Sequence, residues 1–313
     1  MFLIFAKILS VFGISLFGYI GNKLKWFPEE STKYFSLLLV NITSPCLVIY
    51  SMSQEELTKE TLSSVVQTAG FMLLALIITT VISILCLKIM RAPMADRGVY
   101  RFLLVLTNCG FMGFPLSLAV FGKKGLFLMI IANAVFTFYA YSVGVIMLVS
   151  GSKSGLTVKT AAKSLVSIPV VTSIIGILIF IFGISLPSLL TNFLEMVGNI
   201  TVPLSMIIIG IQLAESKAME ILTNRHLFEI IILKLIAIPA ALFGIFLLIP
   251  VNPFVLCLVV FAMSMPSAAI SPVLSELHGV NARLAAQGVF ITTLFSLISI
   301  PVTALLLNLF LGA

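Results

Sequence analysis

Two short stretches place glycine, proline and small polar residues inside otherwise apolar sequence. Residues 107–115 read TNCGFMGFP and residues 264–272 read SMPSAAISP. These residue types suit binding rather than bond breaking. Glycine permits backbone geometry that other residues resist. Proline removes an N–H donor and pre-sets the first turn of a following helix. A membrane helix carrying either stretch is expected to break there and resume as a half-helix. Two half-helix N-termini then arise, one around residues 113–117 and one around 267–273. Each offers unpaired N–H groups and roughly half a positive charge. The guest such ends suit is an anion, most simply a carboxylate. The candidate binding set is Asn108, Cys109, Gly110, Gly113, Pro115, Pro266, Ser267, Ser271 and Pro272, with Asn108, Ser267 and Ser271 adding side-chain hydrogen bonds. The competing reading is a pair of kinks that only ease helix packing, since proline and glycine are tolerated in membrane helices.

Chemistry of other kinds lacks residues. There is no H-E-x-x-H and no G-x-S-x-G, and His226 and His278 fall at the ends of apolar segments. No phosphate-cradling glycine loop appears, so neither an enzyme nor an ATP-driven pump is expected. Cys46, Cys86, Cys109 and Cys257 lie in apolar segments without metal-ligand spacing, and no metal, cofactor or disulfide framework is inferred.

The elements that must position these stretches span a membrane. Of 313 residues, 60% are hydrophobic and 9% charged, with mean hydropathy +1.23. A soluble domain carries about 25% charged residues. Ten apolar segments are long enough to cross a bilayer: 2–22, 33–52, 62–88, 99–121, 125–149, 161–182, 189–214, 227–249, 253–275 and 282–311. The first starts at Met1 with no basic region ahead of it and reads as a span rather than a signal peptide. The net charge of +7 comes from Lys and Arg scattered through short loops, which argues against a nucleic-acid partner. Thirteen of them flank the loops after odd-numbered spans and three lie on the other side. That bias puts the odd loops in the cytoplasm and both termini outside it.

The polar residues of other spans repeat. Asn41-Ile42-Thr43-x-Pro45 matches Asn199-Ile200-Thr201-x-Pro203, and Gln54 matches Gln212, all 158 residues apart. Pro115 and Gly122 match Pro272 and Gly279 at 157, and Pro28 matches Pro187 at 159. The pattern is a duplicated unit of five spans. Five is odd, so the second copy enters the membrane inverted, an architecture of many secondary transporters. The expected division is 1–150 and 161–313, joined by a cytoplasmic linker at 151–160. Spans 2 and 7 are expected to kink, with Asn41, Thr43, Asn199 and Thr201 facing inward as supports around Pro45 and Pro203. Lys234, two turns into span 8, either pairs with an anion and gates the path or snorkels to the cytoplasm beside Glu229; snorkelling is the favoured expectation.

TNCGFMGFPL with FGKKGL, and MPSAAISPVLSELHGVNARLAAQGVFITTLFSLISIP, resemble the auxin efflux carrier family. That family holds plant exporters and bacterial permeases and is grouped with the bile acid sodium symporters. The resemblance covers essentially the whole chain. It implies ten spans in two inverted repeats, with broken helices 4 and 9 crossing near the midplane. It also implies separate scaffold and transport domains, often a homodimer, and transport of organic anions across the cell membrane. By position, Asn108, Gly113 and Pro115 match the span 4 motif, and Pro266, Ser267 and Pro272 the span 9 crossover. Plant members have asparagine where this chain has Ser267, and their long central loop is missing, so the compact, bacterial form is the nearer likeness. The expected function is secondary transport of carboxylates such as malate or malonate by alternating access. Alternatives are an auxin-like aromatic acid exporter or uniporter, and a ligand sensor with the carrier fold. A coupling ion, proton or sodium, is left open.

Overall fold

With no water in a bilayer core, backbone groups must be hydrogen-bonded within the segment, and uninterrupted apolar runs therefore become helices. The computed structural model describes residues 2–28, 30–150, 167–215 and 224–312, with side chains from residue 5 onward. The helices are α1 (Phe2–Lys23), α2 (Ser31–Ser53), α3 (Lys59–Ile89), α4 (Arg97–Val105), α5 (Cys109–Val149), α6 (Ile168–Ile181), α7 (Ser188–Gly198), α8 (Thr201–Glu215), α9 (Arg225–Phe246), α10 (Pro253–Met263), α11 (Ser271–Leu277) and α12 (Ala282–Leu311). Among the described residues, seven helical segments are long and apolar enough to cross a membrane, α7 and α8 forming one of them; α6 and α10 are shorter apolar helices. The protein is an all-α, multi-pass membrane protein. The linker expected at 151–160, the start of the sixth span and Lys217 lie outside the described residues.

The expected fourth and ninth spans are the divided ones: α4 stops at Val105 before α5 starts, and α10 stops at Met263 before α11 starts. Within α5 the helix bends at Gly122, whose φ of 71° and ψ of −161° only glycine adopts without strain. Three prolines follow π turns. Leu39–Thr43, Cys109–Gly113 and Leu233–Ala237 each end two residues before a proline, at Pro45, Pro115 and Pro239. A proline leaves the carbonyl four residues earlier without its donor, and the wider turn takes up the mismatch. Span 7 instead breaks for a single turn, at Asn199 and Ile200, between α7 and α8.

Two sets of helices pack closely. In one, α1 lies along α8, and α2 lies along α6 and α7. The α1–α8 crossing works because glycines face backbone: a side chain at Gly18 would collide with the Ile207 carbonyl, and one at Gly210 with the Ser15 carbonyl. Small residues that allow such approach are the usual basis of helix association in lipid. In the other set, α3, α9 and α12 pack against the two divided spans, with Phe102, Leu103, Leu104, Phe261 and Met263 fully buried there.

Candidate functional site

The two breaks meet each other. Thr107 and Ser267 form an isolated antiparallel bridge in which the Asn108 N–H donates to the Pro266 carbonyl (2.9 Å) and the Ala268 N–H to the Leu106 carbonyl (3.1 Å). Extended backbone in an apolar core must find partners, and each break here supplies the other's.

The side chains of the same two residues continue the exchange. A helix that stops leaves its last carbonyls without intrahelical donors. The Ser267 hydroxyl donates to the Leu103 carbonyl of α4 (2.8 Å). The Thr107 hydroxyl donates to the Ala262 carbonyl of α10 (2.6 Å), with Met265 O at 3.3 Å. Each bridge residue thus caps the half-helix that leads into the other break. The Ser267 N–H is held in turn by the Thr292 hydroxyl of α12 (3.2 Å).

Lys234 completes the end of α4. It is fully buried, and its ammonium donates to the Leu104 carbonyl at 3.0 Å. This corrects the expectation that it snorkels. The helical partner of Leu104 O would be the Asn108 N–H, which is committed to Pro266, so the carbonyl at the negative end of α4 takes the cation instead.

The remaining sequence-predicted residues divide. Asn108, Cys109, Gly113, Pro115, Pro266 and Ser271 are buried around the bridge, whereas Gly110 and Pro272 are half-buried. Pro115 follows the π turn that opens α5, and Pro272 lies in the first turn of α11, where helix resumes at Ser271. Thr43 and Thr201 are buried, and Asn41 and Asn199 are exposed at the surface of the chain. The Thr43 hydroxyl reaches its own helix, toward Leu39 O at 3.5 Å. Gln54 is exposed, Gln212 half-buried, and Pro45 and Pro203 half-buried.

Sequence reasoning missed Thr107, Thr292 and Asn133. The first two are threonines among many in apolar segments. Asn133 on α5 brings its amide oxygen to the open side of Gly110, 3.5 Å from where a β-carbon would sit. An asparagine within a span was the available signal. A cavity of about 720 Å³ between α9, α10 and α12, walled by Ile236, Phe243, Val260, Phe295 and Val302, is almost wholly apolar. Its only polar side chains are the Ser299 and Thr303 hydroxyls, and the candidate site is placed at the bridge, where backbone and side-chain polar groups converge. Among the described residues no cluster of three or more His, Cys, Asp or Glu could hold a metal.

Interrupted helices closed on one another within a multi-pass apolar bundle are the mark of a membrane transporter rather than an enzyme. Residues 3–304 match the membrane transport protein family, and the chain belongs to it, in keeping with the resemblance to auxin efflux carriers. It is similar to "Uncharacterized transporter MJ1031" of Methanocaldococcus jannaschii, with 26% identity over 297 residues, 94% of this chain and 95% of the relative. An "Uncharacterized transporter" of Methanothermobacter thermautotrophicus is 24% identical over 304 residues, 96% of this chain and 97% of its own.

Proposed function

We propose that the protein is a secondary carrier of small organic anions, carboxylates of the malate or malonate kind, working by alternating access in the cell membrane. The observation that carries this reading is the Thr107–Ser267 bridge, because it brings the ends of two broken helices to one place. The anion meets the N–H groups where the chain resumes as helix after Asn108, with Asn108, Gly110 and Asn133 as polar contacts. Lys234 makes the surroundings cationic.

The architecture proposed is ten spans in two inverted repeats, 1–150 and 161–313, with both termini outside and a homodimeric assembly. Three correspondences support the repeat. Gly18 and Gly176, 158 apart, each face a neighbouring helix, Gly18 against Ile207 of α8 and Gly176 against Val48 and Met52 of α2. The first span therefore packs on the seventh as the sixth packs on the second. Gly122 and Gly279, 157 apart, both have positive φ, 71° and 64°. Thr107 and Ser267 cap each other's half-helices.

The test is uptake of labelled malate, malonate and indole-3-acetate into proteoliposomes, with and without ion gradients. Saturable malate or malonate flux that falls in Asn108→Ala and Pro115→Ala variants still folded supports the proposal. Flux of indole-3-acetate alone would replace the substrate class, and binding without flux under any gradient would make the protein a sensor.

A further inference from the structure

Lys234, which the carrier reading uses only as positive charge near the site, is a buried cation held at the end of α4. It sits in the π turn Leu233–Ala237 of α9, and single π turns inside α-helices recur at functional positions. Among the described residues no carboxylate lies within salt-bridge distance of it. A lone ammonium away from water is costly unless something compensates it. What compensates it here is the C-terminal end of α4, through the Leu104 carbonyl, beside Leu103 O held by Ser267. In transporters with discontinuous helices, unwound carbonyls and half-helix C-terminal ends are where a coupling Na⁺ is coordinated.

We propose that the Lys234 ammonium is a resident monovalent cation, supplied by the chain itself in the place a coupling ion would take, so that the protein needs no Na⁺ at this end of α4. The inference deepens the carrier reading and rests on it for flux. The cation position is tested without flux.

The experiment is thermal unfolding of the purified full-length chain in detergent, in NaCl, LiCl, KCl or choline chloride at equal ionic strength. The wild-type midpoint is expected to be the same in all four salts. Lys234→Gln keeps an N–H donor for Leu104 O but no charge, and its midpoint falls by several degrees. Lys234→Ala falls further and recovers in part, saturably, with Na⁺ or methylammonium but not with choline. A wild-type midpoint that climbs saturably with Na⁺ overturns the proposal, as does a Lys234→Gln protein as stable as wild type. A folded Lys234→Ala protein indifferent to every cation overturns it too. If Lys234→Ala yields no folded protein, the wild-type salt series and Lys234→Gln decide. In proteoliposomes, wild-type malate flux equal in Na⁺ and choline agrees with the proposal, and flux that needs Na⁺ opposes it. An absence of all flux counts against the carrier reading alone.

Discussion

Removing one hydroxyl from the bridge isolates what the crossing of the two breaks is worth. Ser267→Ala deletes the donor to Leu103 O, whose helical partner would have been the N–H of Thr107, a residue already outside α4. A buried acceptor left unpaired costs about 1–3 kcal/mol. Thr107→Val is close to isosteric and deletes the donor to Ala262 O, but that carbonyl keeps the Met265 N–H at 3.3 Å. Its cost therefore falls near the lower end of the same range. At about 2 °C per kcal/mol, Ser267→Ala lowers the unfolding midpoint by roughly 2–6 °C and Thr107→Val by about half as much. The two hydroxyls hold one bridge, so the double variant loses less than the sum, with a coupling of about 0.5 kcal/mol or more. The assay is thermal unfolding in detergent on the four proteins of the cycle, with malate uptake on each that folds. Two single variants within about 0.5 kcal/mol of wild type, the range of ordinary surface changes, would refute the reasoning. So would strict additivity.

Further outcomes follow from the glycines and the asparagines. Gly18→Ala and Gly210→Ala drive a methyl group into the Ile207 and Ser15 carbonyls and should each cost about 1–3 kcal/mol in thermal unfolding, whereas Gly13→Ala on the same helix meets nothing within 4 Å and should be neutral or mildly stabilising. Gly122→Ala should cost about 1–3 kcal/mol from backbone strain alone, because no neighbour lies within 4 Å of the added methyl group; a neutral result would mean the bend relaxes without it. Asn133→Ala should reduce malate flux several-fold with little change in unfolding midpoint, measured on the same preparation. Asn41→Ala and Asn199→Ala, on exposed side chains, should leave the midpoint within about 0.5 kcal/mol of wild type.

The breaks were legible because glycine, proline and small polar residues in an apolar run have few other uses, and both fall where TNCGFMGFP and SMPSAAISP placed them. Gly122 and Gly279, paired in the sequence by spacing, both have positive φ, which glycine adopts freely. Lys234 was not legible. Whether a lysine two turns into a span reaches outward or inward depends on a carbonyl 130 residues away in sequence, and no local pattern records that. Thr107 stayed hidden for the same reason, since its partner lies 155 residues on. Of each Asn-x-Thr pair the threonine is the buried member, a distinction the shared spacing does not carry.

The reciprocal capping of α4 and α10 also sets a schedule for the chain's own synthesis. Ser267 follows Leu103 by 164 residues and Lys234 follows Leu104 by 130. At ribosomal rates of about 5–20 residues per second, the end of α4 waits roughly seven to thirty seconds for its donors. Through that interval a freshly made segment carries bare carbonyls that lipid cannot satisfy, and it has to borrow water or the insertion machinery. A nascent chain halted before residue 267 would keep that need indefinitely, which makes the unfinished protein recognisable as unfinished to whatever surveys the membrane.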